Sequence, residues 1–157
     1  MYSLDTSVFM DWQARYYPLD LFPSLETKLA DLISAGTGRS VQLVKEEIDA
    51  VGTPGLRAWA KASSGLFVPI DTAVQAAGAA IEASYPDLMD PKGLHESADA
   101  YVIALAQLNG GTVVSQETSA AEKRSPKQTH FIPDVCRDLG VPCINLFGLM
   151  RREGWKF

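Results

Sequence analysis

Short β-rich runs alternate with amphipathic helical patterns along this chain, and the alternation limits its fold more than any other feature. Such an alternation is typical of an α/β fold, in which helices cover a mainly parallel sheet. The 157 residues suit one domain, and a hydrophobic fraction of 46% is enough to fill its core. The sequence therefore predicts a single α/β domain over residues 1–157.

Capping and turn residues set the predicted helix ends. Ser24 is a suitable N-cap for a helix that stops at Gly36 and Gly38, and Asp71 is a suitable N-cap for a long Ala-rich helix. Gly78 in that Ala-rich helix allows close packing against a neighbour. Further helices are predicted over about 41–50, 56–60, 97–110, 133–140 and 146–152, the last three starting near Ser97, Pro133 and Leu146. Extended runs are predicted up to Asp5 and over 66–68, 112–115 and 141–145, with loops at 86–96 and 117–130.

Net charge and cysteine usage exclude some classes of protein. A net charge of -5 gives no general attraction to a polyanion, so any nucleic-acid binding would be local. Cys136 and Cys143 match neither a dense disulfide framework nor a four-ligand zinc site. We interpret them as reduced core thiols.

The N-terminal residues carry no targeting signal. Asp5 and Asp11 follow the first methionine closely, without a basic region or an apolar run of the kind that signal peptides have. Apolar runs elsewhere fall short of the roughly 20 residues that a membrane span needs. The sequence predicts a cytoplasmic protein without a membrane segment.

Four acidic residues occupy positions that an α/β fold brings to one edge of its sheet. Asp5 ends the first strand, Glu117 follows a later strand, and Asp99 opens a helix. Glu47 lies in a helix, next to Ile48. Open α/β sheets bind ligands at the carboxyl ends of their strands. These acids are therefore candidate site residues.

Gathered carboxylates repel one another and must take up protons or a cation. Ligand sets made only of oxygen favour Mg²⁺ or Mn²⁺, which retain waters and lower the pKa of one of them to give a hydroxide nucleophile. The acidic set therefore indicates a phosphodiesterase that depends on a divalent metal.

Each acid also has a purely structural interpretation. Asp5 is suited to cap a turn, Asp99 suits the positive end of a helix dipole, and Glu117 stands where exposed loop acids are common. Glu46 and Glu47 point about 100° apart on a helix, so only one can face the site. Glu47 is the better placed of the two, because apolar residues flank it.

The order of these motifs resembles a PIN domain over nearly the whole chain. The matching segments are Leu4-Asp5-Thr6-Ser7, Val44-x-x-Glu47-Ile48, Ala98-Asp99-x-x-Val102-Ile103-Ala104-x-Ala106 and Val113-Val114-Ser115-x-Glu117. The C-terminal segments Ile132-Pro133-Asp134-Val135-Cys136, Cys143-Ile144-Asn145-Leu146 and Gly154-Trp155 are similar to an uncharacterised bacterial and archaeal PIN-like subfamily.

The resemblance implies a three-layer α/β/α fold and a metal-dependent nuclease, and many PIN domains are the ribonuclease toxins of VapBC-type toxin–antitoxin pairs. It implies that Asp5, Glu47 and Asp99 bind one or two Mg²⁺ or Mn²⁺ ions. Many members have a Thr-x-Asp pattern for the fourth acid, whereas this chain has Glu117 in that place. Asp134 is a rival for the same role. A homodimer and an antitoxin partner are further implications.

An RNA substrate would need local basic contacts beside such an acidic site. Four candidates lie in the loop after Glu117: Lys123, Arg124, Lys127 and His130. A charged run of this kind is also typical of a solvated loop. The aromatic residues between Trp12 and Phe22 are expected to be core or part of a groove for a partner's helix.

Two other functional classes fit the sequence less well. A phosphatase of the haloacid dehalogenase type also begins with an Asp on a strand, but it usually carries a second Asp where this chain has Ser7. A PIN-like domain without turnover, acting as a binding module, is the other class. Glu117 in the place of the usual Asp favours a binding module, whereas the presence of Asp5, Glu47 and Asp99 opposes it.

Overall fold

A five-stranded parallel sheet forms the centre of the molecule in the computed structural model, which describes residues 1–89 and 97–157. The strands lie in the order β3-β2-β1-β4-β5. They are β1 (Tyr2–Leu4), β2 (Gly38–Val41), β3 (Phe67–Val68), β4 (Thr112–Val114) and β5 (Cys143–Ile144). Helices flank the sheet, and the predicted three-layer α/β/α fold is confirmed.

Eight helices connect and cover these strands in the described ranges, with short 3-10 turns at Pro86–Leu88 and Ala120–Glu122. They are α1 (Thr6–Phe9), α2 (Pro23–Ser34), α3 (Gln42–Val51), α4 (Pro54–Ala62), α5 (Thr72–Ser84), α6 (Asp99–Leu108), α7 (Ile132–Leu139) and α8 (Leu146–Arg152). Helix α1 continues directly as a π-helical segment, Met10–Tyr16. None of the helices in the described part of the chain is long and apolar enough to cross a membrane.

Strand β1 and helix α6 lie at the centre of the core. Strand β1 pairs with β2 on one side and with β4 on the other. Helix α6 is buried from Ala100 to Ala106, as expected for a helix covered on nearly all sides. Its Tyr101 packs on Gly78 of α5, where an added Cβ would lie 2.4 Å from the ring. The predicted close packing at Gly78 is therefore present.

Two features of the first third of the chain differ from the sequence prediction. The helix predicted over about 41–50 is present as α3 (Gln42–Val51), but residues 38–41 form β2, a strand that the sequence did not predict. Gly38 and Arg39 are weak strand formers, and β2 is held instead by pairing with a strand on each side. Helix α2 begins at Pro23 with Phe22 as its N-cap, so Ser24 is not the cap. A proline at the first helical position is already fixed near a helical φ.

Most other boundaries agree with the sequence. Asp71 caps α5 by accepting from the Val74 amide at 2.8 Å, and α8 spans the predicted residues 146–152. Ser97 accepts from the Asp99 amide at 3.3 Å, although Ala98 occupies the N-cap position of α6. Pro133 is the second residue of α7, one place later than predicted. The last strand is shorter than expected, and both cysteines are free. Residues 90–96 of the predicted loop lie outside the described residues.

Candidate functional site

Asp5 lies directly after β1 and is almost completely buried. Its carboxylate accepts from the Ser115 hydroxyl at 3.1 Å, from the Ser7 amide at 3.3 Å and from the Ser7 hydroxyl. Burial raises the pKa of Asp5, and the hydrogen bonds from Ser7 and Ser115 oppose that rise. Asp5 also caps α1, so the same residue is a helix cap and lies at the edge of the sheet.

Glu47 connects the starts of two helices. One of its oxygens accepts from the Ala98 amide at 2.9 Å, just before α6, and the other accepts from the Thr6 hydroxyl at the start of α1. Glu46 is exposed on another side of α3. Of the two adjacent glutamates, Glu47 is therefore the one that faces the other acids.

Asp99, the first residue of α6, shows that the four acids act on one another. Its pKa is raised well above the usual value, first by burial and then by the negative charges of Asp5, Glu117 and Glu47. Ser97 opposes the rise by donating a side-chain hydrogen bond. Glu47 accepts from the amide next to Asp99, and the Ser115 hydroxyl contacts both Asp5 and the Glu117 backbone, so these carboxylates lie within one region of the molecule.

Glu117 is held in the loop after β4 by the backbone of α7. Its Oε2 accepts from the Ile132 amide at 3.0 Å, and its own amide donates to the Ser115 hydroxyl at 3.1 Å. Burial raises the pKa of Glu117 to about 7, and Asp5 adds to the rise. The Ile132 amide and the positive charge of Lys123 oppose it.

Asp134, the rival of Glu117, belongs to a separate set of contacts. It is 3% exposed and accepts from the amides of Ala120 at 2.8 Å and Phe131 at 3.0 Å. Arg137 lies 3.3 Å from its other oxygen. These contacts fasten the start of α7, whereas Glu117 contributes to the charge around Asp99.

Ser7, Ser115 and Gln116 surround the acids and were not among the predicted site residues. The Ser7 hydroxyl accepts from the Gln116 amide at 2.9 Å and lies 3.4 Å from the Ser115 hydroxyl. A serine two residues after an aspartate is typical of a side-chain turn, so Ser7 carried a local signal. No local pattern indicated Gln116, because its side chain accepts a hydrogen bond from the Leu146 backbone amide and donates one to Asp11, both distant in sequence.

The four acids fit a hard divalent cation in their chemistry. Their ligand atoms are all carboxylate oxygens, which Mg²⁺ and Mn²⁺ prefer. The pKa values of Asp99 and Glu117 are raised first by burial and then by neighbouring negative charge, which a cation would neutralise. Within residues 1–89 and 97–157, however, no three Asp, Glu, His or Cys side chains are grouped closely enough to hold a metal as they stand. The acids would have to converge further to ligate an ion.

The basic residues that were candidates for RNA contact have different surroundings. Lys123 lies with its Nζ 4.2 Å from the centre of the Phe131 ring. His130 has its Nδ1 2.7 Å from an oxygen of Asp87. Arg124 and Lys127 are exposed. Lys123 is the one whose charge acts on Glu117.

Four aromatic rings, those of Tyr17, Phe22, Phe147 and Phe157, are joined by ring contacts, and we call them the aromatic patch. Tyr17 contacts Phe22 at 5.4 Å and Phe147 at 6.1 Å between ring centres, and Phe22 contacts Phe157 at 6.3 Å. Phe147 is 50% exposed and Phe157 is 58% exposed. Trp12, by contrast, is fully buried. The aromatic residues therefore divide into a buried group and a surface group, and the predicted role of the surface group in binding a partner stays a prediction.

Comparison with known proteins places the fold and the family. FitAcB from Neisseria gonorrhoeae has a similar solved structure, with a TM-score of 0.51 and 16% identity over 92% of this chain and 97% of that chain. At this identity the likeness concerns the fold alone. No curated protein matches the sequence. The model of the family described as Domain of unknown function (DUF4411) matches residues 2–157, and the chain therefore belongs to that family.

Proposed function

We propose that this protein is a metal-dependent ribonuclease with a PIN-like fold, and that it is the toxin of a toxin–antitoxin pair. The observation that carries the proposal is the placement of four acids at one edge of the sheet, where the Ser115 hydroxyl connects Asp5 with the Glu117 backbone and Glu47 accepts from the amide next to Asp99. Such concentrations of like charge cost stability and are typical of functional sites. The likeness in fold to FitAcB supports the PIN-like assignment.

Asp5, Glu47, Asp99 and Glu117 would hold Mg²⁺ or Mn²⁺ in this proposal. The bound cation would supply charge neutralisation and a water-derived nucleophile for hydrolysis of a phosphodiester. The protein's own contribution is to fix the acids. Hydrogen bonds from the Ser7 and Ser115 hydroxyls orient Asp5, and backbone amides orient Glu47 and Glu117.

RNA is the proposed substrate, and basic side chains beside the acids would contact its phosphates. Lys123 is the best placed, since its positive charge already acts on Glu117. Exposed Arg124 and Lys127 lie in the same loop. Contacts of this kind are local, as a protein of net charge -5 requires. We propose that the activity is cytoplasmic.

RNA cleavage by the purified protein tests this function. Structured and unstructured RNAs are incubated with EDTA, Mg²⁺ or Mn²⁺, and wild type is compared with Asp5→Asn, Asp99→Asn and the control Glu46→Gln. We expect metal-dependent cleavage that falls by about 100-fold or more in both Asp variants, because each loses a charged ligand worth several kcal/mol to the transition state. Glu46→Gln, which alters an exposed glutamate on the same helix as Glu47, should cleave like wild type.

Folded wild-type protein that cleaves no RNA with either metal would contradict the nuclease proposal. It would favour the second candidate, a PIN-like binding module without turnover. One observation supports that candidate: in the described residues the acids are not gathered into a finished ligand set. Binding of Mn²⁺, measured by calorimetry on the same samples, separates a loss of metal from a loss of turnover.

A protein partner is part of the proposal. We infer an antitoxin partner for this chain, because its motif order resembles the PIN-domain toxins of VapBC-type pairs. The aromatic patch supports this, because its exposed rings, Phe147 and Phe157, adjoin the half-buried rings of Tyr17 and Phe22, and exposed apolar side chains grouped in this way are typical of a protein-binding site. A homodimer is the other assembly that we propose for the chain.

A further inference from the structure

Four consecutive backbone amides, at residues 129–132, each donate a hydrogen bond to a carboxylate. Thr129 and His130 donate to the same oxygen of Asp87, at 2.8 and 3.2 Å. Phe131 donates to Asp134 at 3.0 Å, and Ile132 donates to Glu117 at 3.0 Å. We call these residues the four-amide segment. The Ile132 amide holds Glu117, which is an acid of the candidate site. The Thr129 and His130 amides are held by Asp87, which lies outside that site.

Asp87 makes further contacts with the same segment. It accepts from the Thr129 hydroxyl, and its second oxygen lies 2.7 Å from Nδ1 of His130. The His130 ring also meets the ring of Tyr85 edge-on, at 5.0 Å between centres. Hydrogen bonds from Thr129 are the largest cause of the lowered pKa of Asp87, which keeps it ionised and a strong acceptor.

We propose that Asp87 is a positioning residue that orients Glu117 through the four-amide segment. Only Phe131 lies between His130 and Ile132 in the chain, and the Phe131 amide is fixed in turn by Asp134. The segment therefore has little freedom to move at one end while staying fixed at the other. Glu117 needs such support, because Asp5 and Glu47 repel it.

Hydrogen exchange in the metal-free protein tests the link directly. In Asp87→Ala we expect exchange of the Ile132 amide to accelerate by about tenfold or more, because the segment that carries this amide is released. Asp87→Asn should restore most of the protection, since its carbonyl oxygen can accept from the Thr129 and His130 amides. Exchange at Ile132 that stays within about twofold of wild type in Asp87→Ala would overturn the proposal.

Asp71→Ala is the matched control. Asp71 caps the start of α5, whereas Asp87 follows the end of the same helix, so both variants remove an aspartate that accepts backbone amides. We expect Asp71→Ala to lower Tm by about 2–4 °C and to leave exchange at Ile132 unchanged. Acceleration at Ile132 in both variants would overturn the proposal, because it would reflect a general loss of stability.

The consequence for metal rests on the proposed function. Where wild type binds Mn²⁺, Asp87→Ala should weaken binding by about 10- to 100-fold, the usual effect of removing a group that orients a metal ligand. Unchanged Mn²⁺ affinity with accelerated exchange would overturn the claim that the segment orients Glu117 for metal. Failure of the wild type to bind metal or cleave RNA would contradict the proposed function, and the exchange experiment would still decide the positioning role.

Discussion

At the scale of single residues, the acids near the start of α6 carry a stability cost. Burial raises the pKa of Asp99 well above its usual value, and the charges of Asp5, Glu117 and Glu47 raise it further. Folding therefore disfavours the charged form of Asp99 relative to the unfolded chain. An acid with a raised pKa adds stability that is fully present below its unfolded pKa and is lost as the pH rises through the folded value.

Asp99→Asn should therefore stabilise the metal-free protein at neutral pH. We expect Tm in EDTA at pH 7.5 to rise by about 2–4 °C, the shift that about 1 kcal/mol produces in a domain of this size. The gain should shrink as the pH is lowered toward about 4, where unfolded aspartate takes up its proton. Thermal unfolding of both proteins across pH 4–8 measures this. A gain that grows toward low pH would contradict the buried-charge interpretation.

Sequence patterns predicted the acids better than the groups that hold them. Asp5 and Asp99 were predictable because strand ends and helix starts are defined by local residues. The Ile132 amide that holds Glu117 was not, because any residue carries an amide and only the fold decides where it points. The same holds for Gln116, whose side-chain partners are far away in sequence.

At the scale of elements, α5 and α6 pack closely against each other at Gly78. Gly78 permits this approach, since the Tyr101 ring occupies the space that a Cβ would need. The Tyr101 hydroxyl lies 3.3 Å from the Gln75 amide nitrogen and 3.4 Å from Glu82, both on α5. The contact therefore combines ring packing with polar contacts, and it supports the helix that begins with Asp99.

Gly78→Ala should destabilise the protein although alanine is the better helix former. We expect a loss of about 1–3 kcal/mol in unfolding free energy, because the added methyl group forces the Tyr101 ring or the helix to move. Ala79→Gly, at the exposed neighbouring position, is the control and should cost about 1 kcal/mol from helix propensity alone. Urea unfolding measures both variants. A stabilising Gly78→Ala would show that the two helices lie further apart.

Elements with local signals were predicted well, and elements held by distant partners were not. Helices α5 and α8 follow from an N-cap and an apolar stripe that neighbouring residues provide. Strand β2 contains Gly38 and Arg39, and its extended form depends on β1 and β3, which flank it. A strand of this kind has no local pattern from which it could be predicted.

At the scale of the whole molecule, the acidic site and the aromatic patch are built from different parts of the chain. The acids come from the ends of β1 and β4 and from α3 and α6. The patch comes from the segment after the π-helical residues and from α8 with the residues beyond it. Mutations in the aromatic patch can therefore abolish the binding of a partner there without replacing any of the four acids.

Phe147→Ser combined with Phe157→Ser should weaken assembly without unfolding the protein. Both side chains are at least half exposed, so their loss should change Tm little while removing apolar contact area. Sedimentation velocity over a range of concentrations measures self-association. Val51→Ser is the control, since this valine is 63% exposed and lies at the end of α3. Equal effects from Val51→Ser would contradict a specific role for the patch.

The central position of β1 has a consequence for the order in which the acidic site forms during synthesis. Asp5 is synthesised well before its hydroxyl partner Ser115, which lies 110 residues further along the chain. Strand β1 also lacks its second neighbour in the sheet until β4 has been synthesised. Contacts of such long range form late in folding. A nascent chain that ends before β4 thus carries Asp5, Glu47 and Asp99 but lacks Ser115 and Glu117, and a synthesis that stops early yields an incomplete acidic site.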